Sequence, residues 1–170
     1  MKTYEASLKI AAPAEEVLKL ITTAEYAKEE AVVDGAFSAK SRAEMCGGKA
    51  VRIITDRVDP SRAPNGKQIR DKKEKSTVTS EWDLEKMRSS WSTKVPGMEK
   101  LVKIAGNTWL EPDGGGACRL CEKGSVSIGL PIIGDIIAKA IAEDIRKGFP
   151  GKAKLIETKL KNKSGISYKP

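Results

Sequence analysis

The chain contains no histidine. That absence removes Ser-His-Asp and Cys-His nucleophile pairs, histidine metal sites and imidazole acid–base chemistry together. Cysteine is scarce as well. Cys46, Cys118 and Cys121 are an odd count with no disulfide framework, which fits a reduced, cytoplasmic setting. Long apolar runs are missing too. The longest uncharged stretch, Gly124 to Gly134, holds glycine, proline and serine and is far too short to span a bilayer. The start, Met-Lys-Thr-Tyr-Glu, lacks the pattern of a signal peptide.

What is present is one domain's worth of soluble chain, with 170 residues, 39% of them hydrophobic and 32% charged. Residues 1–163 read as a single domain and 164–170 as a disordered tail. The net charge of +8 is concentrated. Ser61 to Lys75 carries six basic residues and two acidic ones, and Arg146 to Pro170 carries eight and one. Such clusters attract anionic surfaces. Neither has aromatics interleaved for base stacking, so nucleic acid is not an expected partner. The expected peripheral contact is anionic membrane, through Lys67, Arg70, Lys72, Lys73 and the Lys152–Lys163 tail.

Thr3 to Ile10 alternates in polarity and predicts a half-buried strand. Pro13 opens a helix with Val17, Leu18, Leu20 and Ile21 on one face, and a second short helix covers Ala24 to Ala31. Phe37, Ala39, Ala43 and Met45 share a parity that leads to a Gly47-Gly48 hairpin and a returning strand, Ala50 to Val58. Asp59 to Lys75 reads as a long surface loop. Strands follow at Ser76–Leu84, Met87–Val95, Leu101–Leu110 (with Gly106 as a bulge) and Ala117–Ile128. An apolar stripe from Ile132 to Phe149 then predicts a long helix, broken at Pro150-Gly151. A meander of that size has one face to cover, and only the last helix comes late enough to cover it.

This order, with Val95-Pro-Gly97, Gly106-Asn-Thr-Trp109-Leu110-Glu-Pro112-Asp-Gly114, Gly124-Ser-Val-Ser-Ile128 and Leu130-Pro-Ile-Ile-Gly134, resembles the START-like (SRPBCC, birch-pollen-allergen-like) superfamily. It is most similar to a bacterial family of unknown function within it. The resemblance implies an α+β helix-grip fold: a curved antiparallel sheet of about seven strands around a long C-terminal helix, with two short helices after strand 1. It brings no catalytic residue.

Such an arrangement leaves a concave space for a lipid or other small hydrophobic molecule. The expected wall is Val17, Ile21, Phe37, Ile53, Val78, Trp82, Trp91, Trp109, Ile137, Ala140, Ile141 and Asp144. Neither a cofactor nor a metal is expected. Cys118-Arg-Leu-Cys121 lies on a strand, where positions three apart face opposite ways, so the pair is structural rather than metal-binding. An enzyme is the weaker reading. A cyclase or aromatase type would depend on Asp144 or a tyrosine such as Tyr4. A ligand-free interaction module using the basic surface is the other alternative.

Overall fold

In the computed structural model, which describes residues 1–167, the elements run as follows. Strand β1 is Lys2–Ile10, followed by helices α1 (Ala14–Ile21) and α2 (Ala24–Val33). Six strands succeed them: β2 (Ser38–Cys46), β3 (Ala50–Arg62), β4 (Gln68–Asp83), β5 (Arg88–Lys94), β6 (Val102–Pro112) and β7 (Cys118–Ile128). Helix α3, Ile133–Ser167, closes the order. All seven strands form one antiparallel sheet in the order β1-β7-β6-β5-β4-β3-β2, so the first and last strands lie side by side. Helix α3 packs against β1 and β7, and α2 against β2 and β3. The fold is the helix-grip arrangement: a curved sheet gripping a long C-terminal helix.

One rung crosses the entire sheet: Tyr4, Gly124, Gly106, Trp91, Ser80, Ile53 and Ala43. Its two glycines face aromatic rings. A Cβ on Gly124 would lie 2.5 Å from the Tyr4 ring, and one on Gly106 would lie 2.7 Å from Trp91 Cζ2. Two large rings therefore lie against bare backbone on the concave face. Gly106 does this without the expected bulge, because β6 and β7 hold unbroken register through it.

Three other expectations change. The segment 59–75 is a hairpin rather than a loop. β3 continues to Arg62 and β4 begins at Gln68, with a register shift at Pro60/Ser61. The proline removes a ladder donor, and the shift accommodates it. On β2 only Ala39 of the apolar parity is buried, and Met45 is exposed, because this is an edge strand reaching beyond the covered core. Helix α3 runs through Pro150 without interruption to Ser167. Phe149, Ala153 and Ile156 on one side of it are buried in the core with Ile10, Val17 and Trp82, and that packing outweighs the lost backbone bond. The helix thus enters the stretch read as a tail, and 168–170 lie outside the described residues. No helix among the described residues is long and apolar enough to cross a membrane.

Candidate functional site

Between the concave sheet face and α3 lies a cavity of about 310 Å³. Its position follows from strand alternation. Ser76, Val78, Ser80 and Trp82 of β4 share a parity and all line it, as do Ser89, Trp91 and Thr93 of β5. Helix α2 contributes Tyr26 and Glu30 at helical spacing, with Asp34 just past its end, and α3 contributes Ile141, Asp144, Ile145 and Lys152. Thr23 caps α2 by accepting the Tyr26 N–H at 3.2 Å, which fixes where the Tyr26 ring projects.

Seven of the expected wall residues do line the cavity: Ile21, Ile53, Val78, Trp82, Trp91, Ile141 and Asp144. The other five lie elsewhere. Val17 is fully buried in the core between α1 and α3. Phe37 precedes β2 and carries Arg70 and Lys73 over its ring at 5.2 and 5.7 Å. Trp109 sits on the convex face, one residue out of phase with the cavity-lining Thr108. There it donates to Glu111 at 2.9 Å beneath the Arg88 guanidinium, and it pairs with Cys121. Ile137 is half-buried outside the wall. Ala140 meets the hairpin tip instead of a ligand: a Cβ on Gly66 would lie 2.7 Å from the Ala140 Cβ. Arg62 holds that tip by donating to Gly66 O at 2.9 Å and to Asp144 Oδ2 at 2.7 Å.

A buried polar cluster at the α2 end of the cavity has no counterpart among the expected wall residues. Lys152 Nζ lies 3.7 Å from Glu30, 3.6 Å from Asp34 and 3.8 Å from Glu122. It is therefore not the membrane-facing lysine that the charge pattern predicts. It turns inward because position 152 follows Phe149 on the covered side of α3, and its side chain is only 12% exposed. Lys159 is likewise engaged, donating to Glu29 at 2.7 Å, and the Lys163 side chain lies outside the described residues. Tyr4 Oη donates to Glu122 Oε1 at 2.8 Å, and Thr108 Oγ1 donates to the other carboxylate oxygen at 3.1 Å. Arg57 and Asp59, two apart on β3, form a bidentate pair at 2.7 Å.

The electrostatics follow from burial. Burial alone would lower the Lys152 pKa, but Glu122, Glu30 and Asp34 outweigh it and hold the ammonium well above its ordinary value. Burial pushes Asp34 up to about 6, with Glu30 and Glu122 adding to the shift and Lys152 and Arg57 opposing it. Burial and the neighbouring carboxylate push Tyr4 and Tyr26 far above the phenol range. Two buried polar atoms among the described residues have no hydrogen-bond partner, Tyr26 Oη and Trp91 Nε1, and both residues line this cavity.

The thiols take no part. Cys118 and Cys121 are both buried and unpaired, and burial raises Cys118 to about 11. Among the described residues no group of His, Cys, Asp and Glu could hold a metal ion.

A family profile described as "Protein of unknown function (DUF2505)" matches residues 5–160. No curated protein matches the chain. Among solved structures, a Thermus thermophilus protein is similar at 19% identity and a TM-score of 0.66, over 91% of this chain and 97% of that one. The Zhui aromatase/cyclase of a Streptomyces species is similar at 9% identity and a TM-score of 0.63, over 96% and 95%. A START superfamily protein of Mycobacterium smegmatis is similar at 13% and 0.55, over 91% and 98%.

Proposed function

Because the chain belongs to the DUF2505 family, whose description assigns no activity, we propose from the site itself that the protein binds a small, largely apolar molecule in the cavity under α3. The observation that carries this reading is the cavity's composition. Trp82, Trp91, Ile53, Val78 and Ile141 supply apolar wall, while two partnerless polar atoms, Tyr26 Oη and Trp91 Nε1, offer orientation. Leaving such atoms buried and unpaired costs about 1–3 kcal/mol each, which a bound molecule's polar group offsets. Apolar burial drives binding, at about 25 cal/mol per Å² before the cost of association. The test is titration of delipidated protein with fatty alcohols, sterols and quinones, read by Trp82 and Trp91 emission. Saturable binding of one class supports the reading, and no response to any class refutes it.

Loading from anionic membrane is part of the same proposal. Ile132 is 86% exposed with a backbone φ of 66°, a strained conformation for a β-branched residue, and Ile136 beside the hairpin tip is 46% exposed. The basic residues Lys67, Arg70, Lys72 and Lys73 follow that tip along β4. Sedimentation with vesicles should show binding that depends on anionic lipid and weakens in Ile132→Ser.

An enzymatic reading has one observation in its favour. Tyr4, Glu122, Lys152 and Asp34 converge at the cavity, and a carboxyl with a pKa of about 6 exchanges protons readily near neutrality. Turnover of a bound molecule that Asp34→Asn abolishes without weakening binding would favour this reading over a carrier.

A further inference from the structure

The protein as a whole carries net charge +8, yet its cavity is lined by six acidic groups and three basic ones. Two of the bases are already taken: Arg57 by Asp59 and Arg62 by Asp144, at 2.7 Å each. Lys152 is left to face Glu30, Asp34 and Glu122. Its distances to them, 3.6 to 3.8 Å, are all longer than direct hydrogen bonds, so one ammonium stands among three carboxylates without closing on any. Tyr26, 3% exposed and one turn of α2 before Glu30, lines this cavity, and its hydroxyl is buried without a hydrogen-bond partner. A phenol oxygen accepts an N–H as well as donating.

We propose that the molecule held in the cavity is an organic cation: an apolar or aromatic body bearing an ammonium group, seated with its nitrogen against Glu30, Asp34 and Tyr26 Oη. This rests on the small-molecule reading above and names its substrate class. Burying an ammonium is costly unless it meets opposite charge and acceptors. Here the carboxylates are present in excess over the one resident cation. The fold already holds them in place, and a second cation relieves their mutual repulsion. Burial raises Asp34 to about 6, and the nearby Glu30 and Glu122 carboxylates add to the shift. A carboxylate-bearing lipid meets the opposite situation, because its head would add a further negative charge to an already anionic pocket. Trp82 and Trp91 in the wall suit the apolar or aromatic body, against which their rings supply large contact area. The basic exterior does not favour a cation, so selection for one must come from the cavity.

The test uses three probes with one body: 4-phenylbutylamine, 4-phenylbutan-1-ol and 4-phenylbutyrate, titrated calorimetrically at a pH above 7. The amine is expected to bind at least about ten-fold more tightly than the alcohol, and the carboxylate more weakly than either. Glu30→Gln and Asp34→Asn should each remove most of the amine's advantage over the alcohol, bringing the two affinities to within a few-fold of each other. The wild-type ranking stands whether or not a variant folds. An alcohol or carboxylate that binds as tightly as the amine overturns the cation assignment and leaves the small-molecule reading in place. Failure of all three to saturate overturns the cation assignment, while the small-molecule reading falls only if the fatty alcohols, sterols and quinones fail as well.

Discussion

Tyr4 and Glu122, 118 residues apart, are joined by a 2.8 Å hydrogen bond inside the protein. The bond ties the first strand to the last and sets the carboxylate that faces Lys152. Tyr4→Phe removes the donor and leaves Glu122 Oε1 buried without it. The expected loss is about 1–3 kcal/mol of stability, measured by denaturant unfolding. A loss near zero would mean that Glu122 is satisfied by other groups.

Lys152 is the one cation among the described residues that ion-pairs with Glu30, Asp34 and Glu122 together. Lys152→Met should destabilise the fold by about 3–5 kcal/mol near neutral pH, as removal of one partner from a buried ion cluster does. The penalty should shrink in mild acid as Asp34 takes up a proton. Parallel unfolding curves at the two pH values measure both effects.

Asp34 also sets a pH dependence of its own. Its folded pKa, about 6, is above the ordinary value of 3.8, so the folded state binds more protons than the unfolded state between those values. Stability from this group is therefore present below the lower value and lost as pH rises through the upper one. Asp34→Asn should flatten the stability profile across that window and gain on the order of 1–2 kcal/mol over the wild type at neutral pH. Glu30, Tyr26, Arg57, Glu122 and Lys152 face the same group and are unchanged in the comparison.

Gly106 is the seat of the Trp91 ring. Gly106→Ala places a methyl 2.7 Å from Trp91 Cζ2 and against the Lys123 carbonyl, which cannot move within its strand. The expected cost is about 1–3 kcal/mol, with a shift in tryptophan emission as the ring is pushed towards the cavity.

How much of this was written in the sequence differs by feature. Strand alternation grouped Val78 with Trp82 on one face of β4, and that face lines the cavity, because period-two patterning survives wherever one face is covered. It misled at Phe37 and Trp109, which are apolar yet lie outside the cavity, one under Arg70 and the other under Arg88. The hairpin between β3 and β4 was hidden by its prolines and charges, which read as loop, although a long exposed ribbon carries the same residues. The polar cluster was not visible at all. Glu30, Asp34, Glu122 and Lys152 come from three separate parts of the chain, and each looks like an ordinary surface charge in its own segment. One signal was available: Lys152 keeps step with the buried positions Phe149, Ala153 and Ile156 of α3. A charge on that side of a covered helix needs partners inside.

If the cavity under α3 is a binding site, filling it with a larger side chain must expel what it holds. The most direct test is titration with the neutral fluorescent probe N-phenyl-1-naphthylamine, comparing the wild type with Ile141→Trp, which fills the cavity from the helix side. Saturable one-to-one binding by the wild type is expected, with at least about a ten-fold loss in a variant that still unfolds cooperatively. Equal binding by the two proteins would place the probe elsewhere and overturn a binding role for the cavity.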